Sequence, residues 1–569
     1  MRFSRSVLAV AACLLLSMPA FAQVTTADLT GTVTMDGGPL PGVSVRISSP
    51  ALQGTRTTVT GEGGSYNLPG IPPGRYTVIF ELEGMQTVTR TVNIGVAQTG
   101  RVDASMRLAA VAEAITVTAA APSVLETPQV SSHVPHALVD NLPIARTVFQ
   151  AAMLSPGVND NTVSGAQFSI SGSPGYDNLV MVNGVVVTEA VRSQMLQLYI
   201  EDAVQETTVL TGAISAEFGR FTGGVVNAIT KSGGNEFSGS FRDSFSNPAW
   251  TAKTPWPTQP DPTEELGQVY EATLGGYIMR DRLWFFTAGR LAETSNDLFT
   301  RPVPGDPNRT TTRFVSTNEN TKYEVKLTGS ITSSHNLVGS YYNEDSSSTN
   351  TRFTSASYDL DSLSNRSDPK ELLGLFYNGI LSQNLLVEGR YSQMEYGIGH
   401  GSGSQFTDPI RGTLMLNLGD SSARFNSPTF CGVCDREWRN NEGWVAKANY
   451  FLSTRSIGTH NLVAGVEQFS EMRYANNHQS GSGFRVFVND VQWVDGTIYP
   501  TINPGDRAPA ALIRWTPIFE SALFSNLETQ SLFVNDRWDL SPNLSFNIGA
   551  RFDKNDTVDA SGNKTSDDS

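Results

Sequence analysis

Two hydrophobic rhythms run along this chain, and both are β rhythms. From Asp28 to about Leu108, apolar and polar residues alternate in short runs: Leu29 to Met35, Val43 to Ile47, Arg56 to Thr60, Tyr66 to Leu68, Arg75 to Glu81 and Gln86 to Ile94. Turn residues separate them, as in Asp36-Gly37-Gly38-Pro39 and Gly61 to Gly64. Strands recurring at this pace predict a small antiparallel sandwich. From Asn235 onward the alternating segments are longer, roughly ten residues each, and rich in aromatics. They predict strands near 236–246, 268–278, 282–292, 321–331, 335–344, 371–380, 384–395, 442–452, 460–470, 530–539 and 543–552. Short turns such as Thr332 to His335 join some of these strands. Long Ser/Asn/Gly stretches such as 396–440 join others. Short turns on one side and long loops on the other are the pattern of an antiparallel transmembrane barrel.

The residues between these two parts differ from both. Residues 109–122 are rich in Ala, Thr and Val and read as a linker holding one extended run, Ile115-Thr116-Val117-Thr118-Ala119. Residues 123–234 mix elements. A helix is expected over Ala145 to Leu154, and a hairpin over Asn178 to Val187 built around Asn183-Gly184. A strand is expected over Glu206 to Leu210, then Glu217-Phe-Gly-Arg220 and the glycine pairs at 223–224 and 233–234. The fold class is therefore mostly β: a sandwich (23–108), a linker (109–122), an α+β segment (123–234) and barrel strands (235–569).

The first 22 residues read as an export signal rather than as fold. Arg2 and Arg5 precede a short apolar stretch, and Ala20-Phe21-Ala22 is an A-x-A site, so cleavage is expected between Ala22 and Gln23. The rival reading makes Ala11-Ala12-Cys13 a lipobox; either way the chain leaves the cytoplasm. No later apolar run is long enough for a transmembrane helix. With 40 Lys+Arg against 55 Asp+Glu, the formal net charge is -15. Phosphate backbones would repel such a chain, so no nucleic-acid partner is expected.

Catalytic chemistry is missing from the motifs. The histidines His133, His136, His335, His400, His460 and His478 form neither H-E-x-x-H nor a carboxypeptidase-type zinc set. His133 and His136 could share a helix face, although Pro135 lies between them. There is no nucleophile elbow, P-loop or dinucleotide fingerprint. No catalytic residue, metal or cofactor is expected.

Three resemblances organise the chain. The run Gly31-Thr-Val, Pro41-Gly-Val-Ser-Val45, Gly63-Gly-Ser-Tyr66 and Ile71-Pro-Pro-Gly-Arg-Tyr-Thr-Val78 resembles the prealbumin-like carboxypeptidase regulatory-like domain. The series from Asn141-Leu-Pro143 through Met181-Val-Asn-Gly-Val185 and Glu217-Phe-Gly-Arg220 to Gly234 resembles the plug of TonB-dependent outer-membrane receptors, in their Oar-like branch. Gly275 to Phe286 and Phe533 to Pro542 are similar to barrel strand pairs of that family.

The resemblance implies an outer-membrane protein of a Gram-negative bacterium, with sandwich and plug toward the periplasm. Ile115, Thr116, Val117, Thr118 and Ala119 would be its TonB box, and the TonB C-terminal domain and outer-membrane lipid its partners. An unidentified extracellular substrate (siderophore, oligosaccharide or peptide) would be imported. The alternative is a surface adhesion protein that uses the barrel as an anchor. The family's barrel has about twenty-two strands. The chain is therefore expected to be the N-terminal part of a longer protein, forming an open sheet curved partway around the plug.

Cys431 and Cys434 are the cysteines left after signal removal, in Phe430-Cys-Gly-Val-Cys-Asp435. C-x-x-C suggests a redox or half-zinc motif, but the Ser, Asn and Pro around it read as loop and no further cysteine remains. A disulfide within an exposed loop is expected. Its ring is small, so it should stabilise by less than the roughly 3 kcal/mol of a fifteen-residue loop. Labelling of intact cells with a thiol reagent should modify neither cysteine until a reductant is added; ready labelling beforehand would reject the bond.

Overall fold

The computed structural model describes most of residues 27–565. Outside the described residues lie 1–26, 109–129, 161–166, 251–265, 353–357, 402–410, 419–422, 428–435, 475–483, 502–510, 516–523, 566–569 and scattered gaps of one to three residues. Ala22 and Gln23, the expected TonB box at 115–119, and Cys431 and Cys434 all fall there.

The N-terminal sandwich is built as its alternation requires. Ala27–Met35 pairs antiparallel with Ser65–Ile71 and parallel with Thr99–Arg101 and Ala104–Ser105. The facing sheet runs Thr55–Val59, Ser44–Ser48, Gly74–Glu81, Val88–Ile94. Every second residue turns inward: Val43, Val45 and Ile47, then Tyr76, Val78 and Phe80, are all fully buried in one core. Tyr66 keeps its hydroxyl satisfied there by donating to Val102 O at 2.7 Å.

The middle segment forms a second sheet in the order Val130–Pro135, Val204–Gly212, Val225–Thr230, Leu179–Val182, Val185–Val186. Asn183 and Gly184 both take positive φ, 51° and 80°, as a two-residue hairpin turn requires. The expected helix is shorter, Val148–Met153, because Thr147 caps it by accepting from Gln150 N at 3.2 Å. His133 lies in a strand and His136 begins the short helix His136–Asp140, so the two share no helix face.

Each of the eleven expected barrel positions is a strand of one antiparallel sheet: Ser238–Ser246, Gly267–Met279, Leu283–Phe299, Arg313–Thr332, His335–Thr351, Lys370–Ser382, Leu385–Gly401, Glu437–Ser453, Thr459–Tyr474, Phe524–Ser541 and Leu544–Val558. Ser364–Ser367 continues the line of Lys370–Ser382, pairing with the same two neighbours. Among the described residues the first and last strands are paired on one side only. The sheet curves around the middle segment.

Several strands run further than the alternation indicated. Arg313–Thr332 begins eight residues before the expected 321–331. Its early part, Thr317-Asn-Glu-Asn320, is polar on both faces. A ladder outside lipid needs backbone pairing but no apolar face.

The long-loop end departs more from expectation. Residues 396–440 were expected as a long loop. Leu414–Asn417, Arg424–Phe425, Phe484–Val488 and Ala511–Trp515 instead form a small sheet, beside a hairpin of Val491–Val494 with Thr497–Pro500. Met415, Phe425, Val488, Val491 and Ile498 bury themselves with Val303 from another loop. The strands are only two to five residues long, too short for a visible period in sequence.

Candidate functional site: the plugged lumen

Directly paired residues of an antiparallel sheet face the same side, so the register sorts each barrel strand into two sets. In Arg313–Thr332, Tyr323, Val325 and Leu327 face outward and are about 40% exposed, at 44%, 40% and 44%. Their outward neighbours include Phe285 and Tyr341. Between them Lys322, Glu324 and Lys326 face inward and are buried. Glu271, Glu388 with Arg390, Lys447 and Glu467 occupy the inward set of other strands, also buried. An apolar outside and a charged inside fit a barrel in lipid with a polar lumen.

The middle segment fills that lumen, and the charges hold it. At one sector Arg146 pairs with Asp202 of its own segment and with Glu271 of the wall, at 2.9 Å. Arg242 reaches Asp202 at 3.0 Å. Lys322 Nζ donates to Tyr199 O at 3.3 Å, and Lys326 Nζ to Thr230 O at 2.8 Å. Arg390 donates to Gly184 O at the hairpin tip. Further on, Arg439 pairs with Glu189 at 2.8 Å and Asn441 donates to Thr188 O at 2.8 Å.

The segment Glu217-Phe-Gly-Arg220 makes the densest contacts. Lys447 bridges Glu217 (3.0 Å) and Glu388 (2.8 Å). Glu467 sits between Arg220 (2.9 Å) and Arg551 (2.5 Å), and Arg551 also donates to Glu217 O at 2.9 Å. Arg220 holds a positive φ of 60°, unusual for a side chain of its size, and its guanidinium lies 3.9 Å over the Phe469 ring. Such a conformation persists because its surroundings over-determine it.

The seam also has apolar contacts. The core of the middle segment (Val148, Phe168, Val180, Ile200) continues into Phe286, Tyr342, Leu372, Phe376 and Met394 of the wall, and Phe469 packs with plug Leu179, Met181 and Phe218. Apolar and ion-paired contacts are thus interspersed around the lumen.

Most of these residues could not be singled out in advance. Their signal was available in one form: charges at every second position of a strand whose alternate positions are aromatic or aliphatic, as in Lys322-Tyr-Glu-Val-Lys-Leu327. Of the expected site residues, those of the TonB box and the disulfide lie outside the described residues. The box does fall in the connection between Leu108 and Val130. Among the described residues no cluster of His, Cys, Asp and Glu could hold a metal ion.

Comparison with known proteins follows this anatomy. The carboxypeptidase regulatory-like domain matches residues 28–107, the TonB-dependent receptor plug domain matches 123–226 and an outer membrane beta barrel domain matches 290–567. The chain is 33% identical over 302 residues to the TonB-dependent transporter Oar of Myxococcus xanthus, which covers 49% of this chain and 27% of that protein. Among solved structures it is similar to the outer membrane transporter YddB from Escherichia coli (TM-score 0.50, 14% identity, 75% of this chain, 56% of that one). It is also similar to the siderophore receptor PirA from Acinetobacter baumannii (TM-score 0.51, 15% identity, 75% of this chain, 58% of that one). At these identities the likeness is one of fold. The chain spans about a quarter of the curated relative and little more than half of the solved receptors.

Fold and site define an outer-membrane barrel holding an internal plug that faces the periplasm. A regulatory-like domain, a TonB-dependent receptor plug and an outer membrane beta barrel domain follow one another along the chain, and its curated relative is a TonB-dependent transporter.

Two consequences are measurable. Lys447→Met leaves Glu217 and Glu388 buried without their shared cation, at a cost of about 3–5 kcal/mol. Hydrogen exchange around 213–220 should quicken accordingly, and adding Glu217→Gln and Glu388→Gln should restore much of the protection. The second concerns Glu206, on the plug face that carries His133. Burial pushes its carboxyl up to about 7, partly offset by a hydrogen bond with Thr208. Folded Glu206 thus keeps its proton well above the usual 4.5. Its ionisation opposes folding, so plug stability should fall as pH rises from about 4.5 to 7, by up to about 3 kcal/mol. Glu206→Gln should remove that fall, read as pH-dependent exchange of Val204–Gly212 after correction for intrinsic rates.

Proposed function

We propose that this chain is the plug-bearing part of an importer that takes up a scarce or bulky extracellular ligand, driven by a pull from TonB on residues 115–119. The observation that carries the reading is how the plug is held. Facing Leu385–Gly401 through Leu544–Val558, charge pairs and hydrogen bonds to backbone carbonyls stand beside the apolar contacts of Met394 and Phe469. Buried ion pairs contribute little net stability over water, yet they fix geometry. Water entering the lumen can replace them, which an apolar seal would resist. A plug so held is specific in position and still movable.

The outer membrane has no nucleotide supply, so the work must come through a mechanical connection. Residues 115–119 precede the plug's edge strand Val130–Pro135 in the chain, with residues 120–129 between. An extended Ile-Thr-Val-Thr-Ala run suits pairing with a partner's sheet edge, where main-chain hydrogen bonds supply the affinity. The folded cap of loops at the opposite end stands where an extracellular ligand first arrives. Siderophores fit this reading, as do oligosaccharides and peptides.

Deletion of 115–119 should leave outer-membrane insertion and protein level unchanged, because the segment lies between two separately cored units. Binding of purified TonB C-terminal domain to the detergent-solubilised chain should disappear. Val117→Pro should mimic the deletion, since it removes a backbone donor from the added strand. Undiminished TonB binding by the deleted chain would refute the box.

A further inference from the structure

The sandwich and the plug meet the barrel wall one beneath the other. This happens on four strands that neighbour one another in the sheet. On Leu385–Gly401, Arg390 holds the plug at Gly184 O, while Leu386 lies against Gly70 of the sandwich. On Glu437–Ser453, Lys447 holds plug Glu217, and Asn449 donates to sandwich Asp28. On Thr459–Tyr474, Glu467 holds plug Arg220, and Asn461 donates to Asp28 (3.1 Å) and to Thr99 Oγ1 (2.8 Å). On Phe524–Ser541, Asn535 accepts from plug Ala216 N at 3.4 Å, Arg537 donates to Thr99 O, and Asp539 pairs with Arg101 at 3.5 Å. In every case the sandwich contact lies nearer the short-turn end. It is two to six residues from the plug contact, or about 7–20 Å.

Apart from Leu386 against Gly70, the contacts named are polar. Asp28 is its centre: a fully buried carboxylate accepting from Gly70 N (3.0 Å) and the two asparagines. It lies beside Lys447 and Glu388, the pair that anchors plug Glu217. Ser65 Oγ and Ser453 Oγ meet at 3.0 Å on the rim. The sandwich core draws all its members from the sandwich itself. The four strands carry the ion pairs of Lys447 and Glu467 with the plug.

We propose that the N-terminal sandwich is a second stopper, latched by Asp28 beneath the plug, which closes the periplasmic end of the ion-paired lumen sector and must undock for that sector to open. The proposal rests on the importer reading for its purpose but not for its geometry. The connection at 109–129 joins the sandwich at Leu108 to the plug at Val130, so a pull there bears on both.

The test uses the full chain carrying Ser65→Cys and Ser453→Cys in a Cys431→Ser/Cys434→Ser background. In detergent, added urea loosens the plug, and hydrogen exchange over 217–220 is compared with the new pair oxidised and reduced. The oxidised protein should exchange at least two-fold more slowly there. Equal rates would overturn the stopper. In the absence of urea, Asp28→Ala should slow disulfide formation between the two cysteines at least three-fold; an unchanged rate would overturn the latch. Neither measurement needs TonB or a substrate, so failure here leaves the outcome of the 115–119 deletion untouched, and the reverse holds too.

Discussion

The constraint on which this structure depends is that a β-ladder in lipid must turn apolar side chains outward and leave every other position to the lumen. Backbone pairing satisfies the main chain, and the two-residue period does the rest. Once Tyr323, Val325 and Leu327 face lipid, Lys322, Glu324 and Lys326 have no other place to point. Charges so forced inward are costly unless paired, and the plug supplies the partners: Thr230 and Asn183 for Lys326, Tyr199 for Lys322, Glu217 for Lys447, Arg220 for Glu467. Plug and wall are therefore two halves of one electrostatic arrangement.

This constraint also explains what was legible in advance. Barrel strands could be placed because their outer face obeys lipid, and lipid writes a period into the sequence. The sandwich could be placed because Val43, Val45 and Ile47 obey a closed core in the same way. The plug's hairpin was visible through Asn183-Gly184, where backbone sterics restrict the choice of residue. Pairing between plug and wall was not visible. Glu217 and Lys447 are 230 residues apart, and nothing local to either specifies the other. The cap of loops escaped notice for a related reason: its core gathers single residues such as Val303, Phe425 and Ile498 from separate loops.

The plug's two kinds of contact do different work. Against Phe286, Tyr342, Leu372 and Met394 it shares a continuous apolar core, and apolar area once exposed to water costs about 25 cal/mol per Å². Against Lys447, Glu467 and Arg551 it shares ion pairs, whose separation is partly repaid by hydration. Under a pull the ion pairs at Lys447 and Glu467 part at less cost than the apolar contacts, which water does not replace.

Glu388, Lys447, Glu467 and Asn535, which meet the plug or its partners, lie on Leu385–Gly401, Glu437–Ser453, Thr459–Tyr474 and Phe524–Ser541. These are the strands beneath which the sandwich is seated. Asp28 and Glu217 come from different domains and converge on the same Lys447–Glu388 pair. Removing Asp28 would leave one carboxylate fewer beside Lys447, so that Lys447 is held by Glu217 and Glu388 alone. Removing Glu217 would leave Lys447 beside Asp28 and Glu388. The charge of Lys447, paired with plug Glu217, also acts on sandwich Asp28, and sandwich Gly95 packs on plug His133, so the two domains are coupled both electrostatically and by contact.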